Sequence, residues 1–149
     1  MAHNPKFIDT ARRVIRAEAD ALIALANAID GSLADAVDLI LNAKGRIIIS
    51  GIGKSGHIAR KIAATLASTG TPAHFVHPAE ASHGDLGMVT RGDVVLAISN
   101  SGEAPELANL IAYTQRFAIP LIGVTSRAES SLASQSDIVL LMPKLPEAC

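Results

Sequence analysis

Two apolar runs in this chain each end in a glycine- and serine-rich loop that opens straight into a helix. No other feature narrows the possible folds as far. Residues 46–50 (RIIIS) lead into Gly51-Ile52-Gly53-Lys54-Ser55-Gly56, and residues 93–99 (DVVLAIS) lead into Asn100-Ser101-Gly102-Glu103. Glycine lets the backbone turn tightly, so that the unpaired N–H groups of a helix start and small hydroxyls converge on one spot. That spot suits a phosphate. A phosphorylated small molecule is the ligand class these loops point to.

Around the two loops the chain alternates strand and helix. The pattern predicts strands at 46–50, 73–76, 93–99, 120–125 and 137–142, with helices at 55–68, 105–117 and 130–134. Alternation of this kind belongs to a doubly wound parallel α/β sheet. Five strands with right-handed crossovers fit the flavodoxin-like order, in which the first and third strands are neighbours and the winding reverses between them. Both loops follow those two strands, so they are expected to face each other across the crevice at the reversal. The chain of 149 residues makes one domain, with no repeat or linker.

Ahead of the first strand, Asn4-Pro5 starts a long helix over 5–29, with Phe7, Ala11, Val14, Ala17, Ala21, Leu25 and Ala28 on one face. An alanine-rich stripe allows close approach, either to a partner subunit or to the helix's own sheet. Ser32 with Asp35 resembles a capping box for a second helix ending at Gly45.

Composition excludes several function classes. Hydrophobic residues make up 49% and aromatics 3%, so the core is aliphatic, and a net charge of −1 with dispersed Lys and Arg gives no footprint for nucleic acid or anionic membrane. No apolar stretch reaches the ~18 residues of a membrane span, and no signal-peptide region opens the chain, so a cytoplasmic protein is expected. The single Cys149 supplies neither a disulfide framework nor a metal pair. Among the histidines, His74 and His77 fall on opposite faces of one strand, so no metal is expected. No cofactor is called for.

Gly51-x-Gly53-x-x-Gly56 fits a dinucleotide fingerprint by its letters. The next strand, however, ends Phe75-Val76-His77 without the carboxylate that would hold a ribose. A Walker A loop fails because Ile48 stands where the first glycine is needed. Taken alone, Ser99-Asn100-Ser101-Gly102 reads as an ordinary helix cap. Its pairing with the first loop, and with Thr125-Ser126 after the fourth strand, makes a ligand cradle the better reading. Glu106 falls in the first turn of its helix behind Pro105, where a carboxylate also suits the helix dipole. His83 lies in a loop with no packing reason to be there, which suggests a role at the site.

With these residues in hand, the chain resembles the SIS (sugar isomerase) domain family, specifically its arabinose-5-phosphate isomerase branch. The resemblance rests on GIGKSGHIARKIAATLASTGTPAHFVHPAEASHGDLGMVTRGDVVLAISNSGE, on PLIGVTSR and on the terminal PEAC. It implies a flavodoxin-like αβα sandwich with a five-stranded parallel sheet, a cytoplasmic protein and commonly a homotetramer. It also implies interconversion of D-ribulose 5-phosphate and D-arabinose 5-phosphate, the entry to Kdo for lipopolysaccharide or capsule. Carried over residue by residue, it implies Lys54, His83, Glu106 and Glu147 near the chemistry, with Gly53, Ser55, Ser99, Asn100 and Ser101 around the phosphate. Only the resemblance promotes Glu147, which otherwise reads as a solvated tail residue.

Two departures stand out. Ala104-Pro105 replaces a hydroxyl that relatives often carry, leaving one phosphate hydrogen bond to be replaced or lost. Full members also continue through a last helix, a further site histidine and a pair of CBS domains, so residues 1–149 are expected to be an SIS domain lacking those parts. The competing reading is a non-catalytic sugar-phosphate-binding regulatory domain. Such regulators usually carry a helix-turn-helix ahead of the domain, and residues 5–29 form a single amphipathic helix instead.

Overall fold

The computed structural model describes residues 5–81 and 83–146. Helices α1 (Pro5–Ala28) and α2 (Gly31–Leu41) precede strand β1 (Ile47–Gly51), which runs into α3 (Gly53–Ser68). Then follow β2 (Ala73–Val76), the short α4 (Pro78–Ala81), β3 (Val94–Ile98), α5 (Ala108–Phe117), β4 (Leu121–Thr125), α6 (Ser131–Gln135) and β5 (Ile138–Leu141). Two 3-10 turns, Asp85–Met88 and Pro105–Leu107, lie between β2 and α5.

All strand pairings are parallel and the order is β2-β1-β3-β4-β5, the doubly wound order expected from the alternation. Successive side chains point to opposite faces, so the aliphatic run of β1 serves two cores at once. Ile48 joins Val95, Ala97 and Leu121 under Leu107, Leu110 and Ile111 on the α5 side. Ile47 and Ile49 join Val94, Leu96 and Ile122 under Ala36, Ala59 and Ala63 of α2 and α3. Small helix residues on that second face let the backbones approach closely. A Cβ on Gly56 would sit 2.7 Å from the carbonyl oxygen of Gly51.

Several boundaries differ from the sequence reading. The second helix is capped by Asp30, whose carboxylate accepts from Ser32 N at 2.9 Å and from Ser32 Oγ at 2.6 Å, in place of a Ser32–Asp35 box. It ends at Leu41 with Asn42 as cap, not at Gly45. The third helix begins at Gly53, so that Lys54 and Ser55 already lie in its first turn. The expected helix 105–117 divides into a 3-10 turn followed by α5.

At the edge of the sheet where the strands begin, buried Asp93 binds β1 to β3. Its carboxylate accepts from Arg46 N at 2.7 Å and Thr90 N at 2.9 Å, and it pairs with the Arg46 guanidinium at 3.4 Å. Burial alone raises its pKa. The amides of Arg46 and Thr90, with the Arg46 charge, outweigh that and hold it below the ordinary 3.8. A carboxylate with a lowered folded-state pKa contributes stability that is present above its unfolded value and is lost as pH falls through the folded one. Asp93→Asn is therefore expected to lower stability at pH 7 by roughly 1–3 kcal/mol. That deficit should shrink below about pH 3.8. Urea melts of both proteins at pH 7 and pH 3 check it, and an equal deficit at both values refutes the charged role.

Candidate sugar-phosphate site

Gly51 at the end of β1 is in register with Ile98 at the end of β3. The two loops that leave these strands are thus neighbours at the point where the winding of the sheet reverses, beyond the strands' C-terminal ends. From the first loop, Ile52 adopts extended backbone and α3 opens at Gly53 (φ 58°) with no side-chain cap. The first amides of a helix have no acceptor within it, and the helix dipole favours negative charge at that end. Gly53 and Lys54 are exposed and Ser55 is half-buried.

The second loop is held from below. Gly102 N donates to both the carbonyl and Oγ of Ser99, the latter at 3.1 Å. Glu103 N donates to Ser101 Oγ at 3.2 Å. Each serine thereby accepts from the loop's own backbone, which leaves the one proton of its hydroxyl to be donated elsewhere. Ser99 is buried; Asn100 and Ser101 are exposed.

The Asn100 carbonyl accepts from Ser126 N (3.1 Å), Ser126 Oγ (2.9 Å) and Thr125 Oγ1 (3.2 Å). These bonds fasten the loop to the end of β4. Two residues on, Gly102 has φ 68°, and a Cβ there would collide with Ser130 Oγ.

The sequence reading did not single out Glu103 and Ser131, yet they complete this fastening. Glu103 accepts from Ser131 Oγ at 2.6 Å and Ser131 N at 2.9 Å. The Ser131 hydroxyl, then its amide, keep the Glu103 carboxyl below its ordinary value, with Arg127 adding to the effect. The available signal was a serine at the start of α6 spaced for capping, which by itself does not name its acceptor.

The chain returns from β2 through α4, and the next candidate follows two residues after its end. His83 N donates to Glu80 O, and His83 is exposed just past the helix. Helix α4 packs against α5 and against the 3-10 turn Pro105–Leu107, which carries half-buried Glu106. Glu106 thus rides on an element that touches α4, two residues ahead of His83, and follows closely on the loop after β3. Glu147 lies outside the described residues.

The histidine weighed for metal behaves differently. His77 follows β2, stands edge-on to Phe75 at 6.3 Å between ring centroids, and has a buried Nδ1 with no partner among the described residues. Among those residues no three His, Cys, Asp or Glu side chains gather to hold a metal ion, and no helix is long and apolar enough to cross a membrane. A separate apolar cleft borders the end of α1, the start of α2 and β5, and none of the candidate residues lines it.

The profile of the SIS domain family matches residues 39–149, which takes in the sheet and both loops. The chain belongs to the SIS domain family. Among curated relatives, the arabinose 5-phosphate isomerase KdsD of Pseudomonas aeruginosa is 50% identical over 149 residues, all of this chain and 46% of that protein. KdsD of Escherichia coli K12 is 48% identical over 143 residues, 96% of this chain and 44% of that protein. The SIS chain thus spans under half the length of the curated relatives it matches.

Two solved structures share the architecture. An Escherichia coli CFT073 protein in complex with A5P is 38% identical with a TM-score of 0.94, over 99% of this chain and 79% of that one. A putative sugar-phosphate isomerase from Listeria monocytogenes is 29% identical with a TM-score of 0.95, over 100% and 78%.

Proposed function

We propose that this SIS domain is an aldose–ketose isomerase domain that interconverts D-ribulose 5-phosphate and D-arabinose 5-phosphate. The observation that carries the reading is the adjacency of the two loops through the Gly51–Ile98 register, which brings a helix start with no side-chain cap beside the loop of Ser99 and Ser101. The named activity of the KdsD relatives and the A5P bound by a structural neighbour supply the choice of sugar.

In this reading the phosphate rests on Gly53, Ser55, Ser99, Asn100 and Ser101, and the sugar chain extends toward His83 and Glu106. Moving a carbonyl between C1 and C2 passes through an enediol. A base removes a carbon-bound proton and an acid serves the oxygens. Glu106 or Glu147 takes the carbon-bound proton. Lys54 and His83 meet the negative charge that develops on the enediolate oxygens, or relay protons between them. No metal or cofactor enters the scheme. A cytoplasmic location belongs to the same reading, since it follows the metabolite.

A coupled assay with ribulose 5-phosphate tests the reaction, and calorimetry tests the cradle. Ser101→Ala is expected to weaken sugar-phosphate binding by roughly 1–3 kcal/mol, the cost of a lost bond to a charged group. Unchanged affinity removes Ser101 from the cradle. Binding of wild-type chain without turnover favours the non-catalytic sugar-phosphate-binding reading; the Vibrio vulnificus NanR protein complexed with ManNAc-6P, 25% identical with a TM-score of 0.78, shares the fold.

A further inference from the structure

Glu103 follows directly on Gly102, at the edge of the candidate phosphate cradle. A carboxylate in that place repels an incoming anion, so charge alone would favour almost any other residue there. Its bonds point to a second role. Leu132 N donates to Gly102 O at 3.0 Å, Ser131 N to Glu103 Oε1 at 2.9 Å and Ser131 Oγ to Glu103 Oε2 at 2.6 Å. Residues 102 and 103 are thus tied to the start of α6 through both backbone and side chain. The anchor is firm, because Leu132 and Ala133 are buried and Ser130 caps the helix by accepting from Ala133 N at 3.3 Å.

From the same two residues a second set of bonds runs back into the cradle. Glu103 N donates to Ser101 Oγ at 3.2 Å and Gly102 N to Ser99 Oγ at 3.1 Å. The serine loop is therefore pinned on one side by the Asn100 carbonyl, which accepts from Thr125 and Ser126, and on the other by Glu103. Both ties from Ser131 are donors. A carboxylate accepts at both oxygens, whereas a glutamine of the same length would turn an NH2 group toward one of them.

We infer that Glu103 is a positioning residue for the proposed sugar-phosphate site, its carboxylate on Ser131 holding Ser99 and Ser101 in the orientation that receives the phosphate. The inference rests on the reading of the serine loop as the cradle. Glu103 acts through the loop and not by contact with the ligand. Its ordering effect outweighs its repulsion, since the charge is taken up by two charge-assisted hydrogen bonds and screened by solvent, while the serine hydroxyls meet the phosphate directly.

The two effects have opposite signs, so one substitution decides between them. Glu103→Gln tightens anion binding if repulsion is all that Glu103 contributes, and weakens it if the carboxylate orders the loop. Calorimetry with inorganic phosphate and with arabinose 5-phosphate is expected to show affinity for both falling about tenfold. Ser131→Ala is expected to act in the same direction, and Ser131→Thr, which keeps the hydroxyl, to bind like wild type. Glu103→Gln combined with Ser101→Ala is expected to weaken binding by less than the product of the two single effects, because one of the hydroxyls that Glu103 positions is already gone. Amide exchange of the unliganded chain gives a readout that needs no binding: the Gly102 and Glu103 amides are expected to exchange faster in Glu103→Gln. Tighter or unchanged binding by Glu103→Gln, single effects that multiply, unaltered exchange, or a Ser131→Thr chain as weak as Ser131→Ala overturns the inference while leaving the cradle in place. A wild-type chain that binds neither inorganic phosphate nor arabinose 5-phosphate overturns the cradle itself, and this inference with it.

Discussion

Replacing Glu106 with glutamine is expected to lower turnover of ribulose 5-phosphate by about 10²–10⁴-fold while substrate affinity changes little. Glutamine keeps the shape and the hydrogen-bonding reach of the side chain but has no basic oxygen to accept a proton from carbon. Glu106 stands half-buried in the 3-10 turn that leads into α5, on an element packed against the α4 segment that delivers His83. The competing role is structural, since a carboxylate in a first turn also complements the helix dipole. Loss of that contribution lowers the melting temperature by the equivalent of ~0.3–1 kcal/mol and leaves turnover of the folded protein intact. Measuring kcat, KM and melting temperature together separates the two. A variant that turns over at wild-type rate assigns proton abstraction elsewhere, with Glu147 and His83 the next residues to replace.

Gly102→Ala is expected to damage the phosphate cradle more than any serine substitution. The residue is held at φ 68°, a region that costs an alanine roughly 1–2 kcal/mol. Its new methyl would collide with Ser130 Oγ and Ser130 Cβ and meet Thr125 Oγ1 at 2.9 Å. Ser130 is itself fixed, donating to Arg127 O at 2.7 Å and capping α6 through Ala133 N, so the loop after β3 must move instead. Crowding of this kind adds about 1–3 kcal/mol. The summed loss of roughly 2–5 kcal/mol corresponds to a fall of several degrees in melting temperature for a chain of this length. Sugar-phosphate affinity should fall at least tenfold, because Ser99 and Ser101 are oriented through bonds to Gly102 N and Glu103 N. Calorimetry on the folded fraction reads this out, and unchanged affinity shows that the cradle does not depend on the loop's geometry.

The sheet was legible from sequence because its signal is local. Runs such as RIIIS and DVVLAIS bury both faces, and glycine marks where each one turns into a helix. Strand order followed from the strand–helix alternation and the right-handedness of the crossovers. Legibility fell where a residue's role depends on a partner far along the chain. Asp30 rather than Ser32 caps α2 because both can serve, and only the backbone geometry chooses between them. The Glu103–Ser131 pair spans 28 residues and leaves no periodic trace.

The exposed aliphatic row of α1 was hidden by a different effect. The alanine stripe read from sequence shares α1 with exposed Ile8, Ile15 and Leu22, and a single-face reading takes the longer stripe and leaves the others unassigned. The candidate site was legible as two loops facing each other. Its chemistry was legible only through family resemblance, since no spacing rule separates Glu106 as a base from Glu106 as a helix-dipole partner.

The strand order has a consequence for the chain as it is being made. Strand β1 lies between β2 and β3, and its links to β3 span 47 residues, as between Arg46 and Asp93. While synthesis has reached only β2, one edge of Ile47, Ile48 and Ile49 must wait with its amides unpaired and its aliphatic side chains half covered. Such an edge is a template for the same edge of a neighbouring nascent chain on the same message. Emergence of residues 94–98 removes that template, and in the same step it brings the serine loop up beside the first turn of α3. Until then the nascent chain has neither a closed sheet nor the two neighbouring loops that the proposed phosphate site requires.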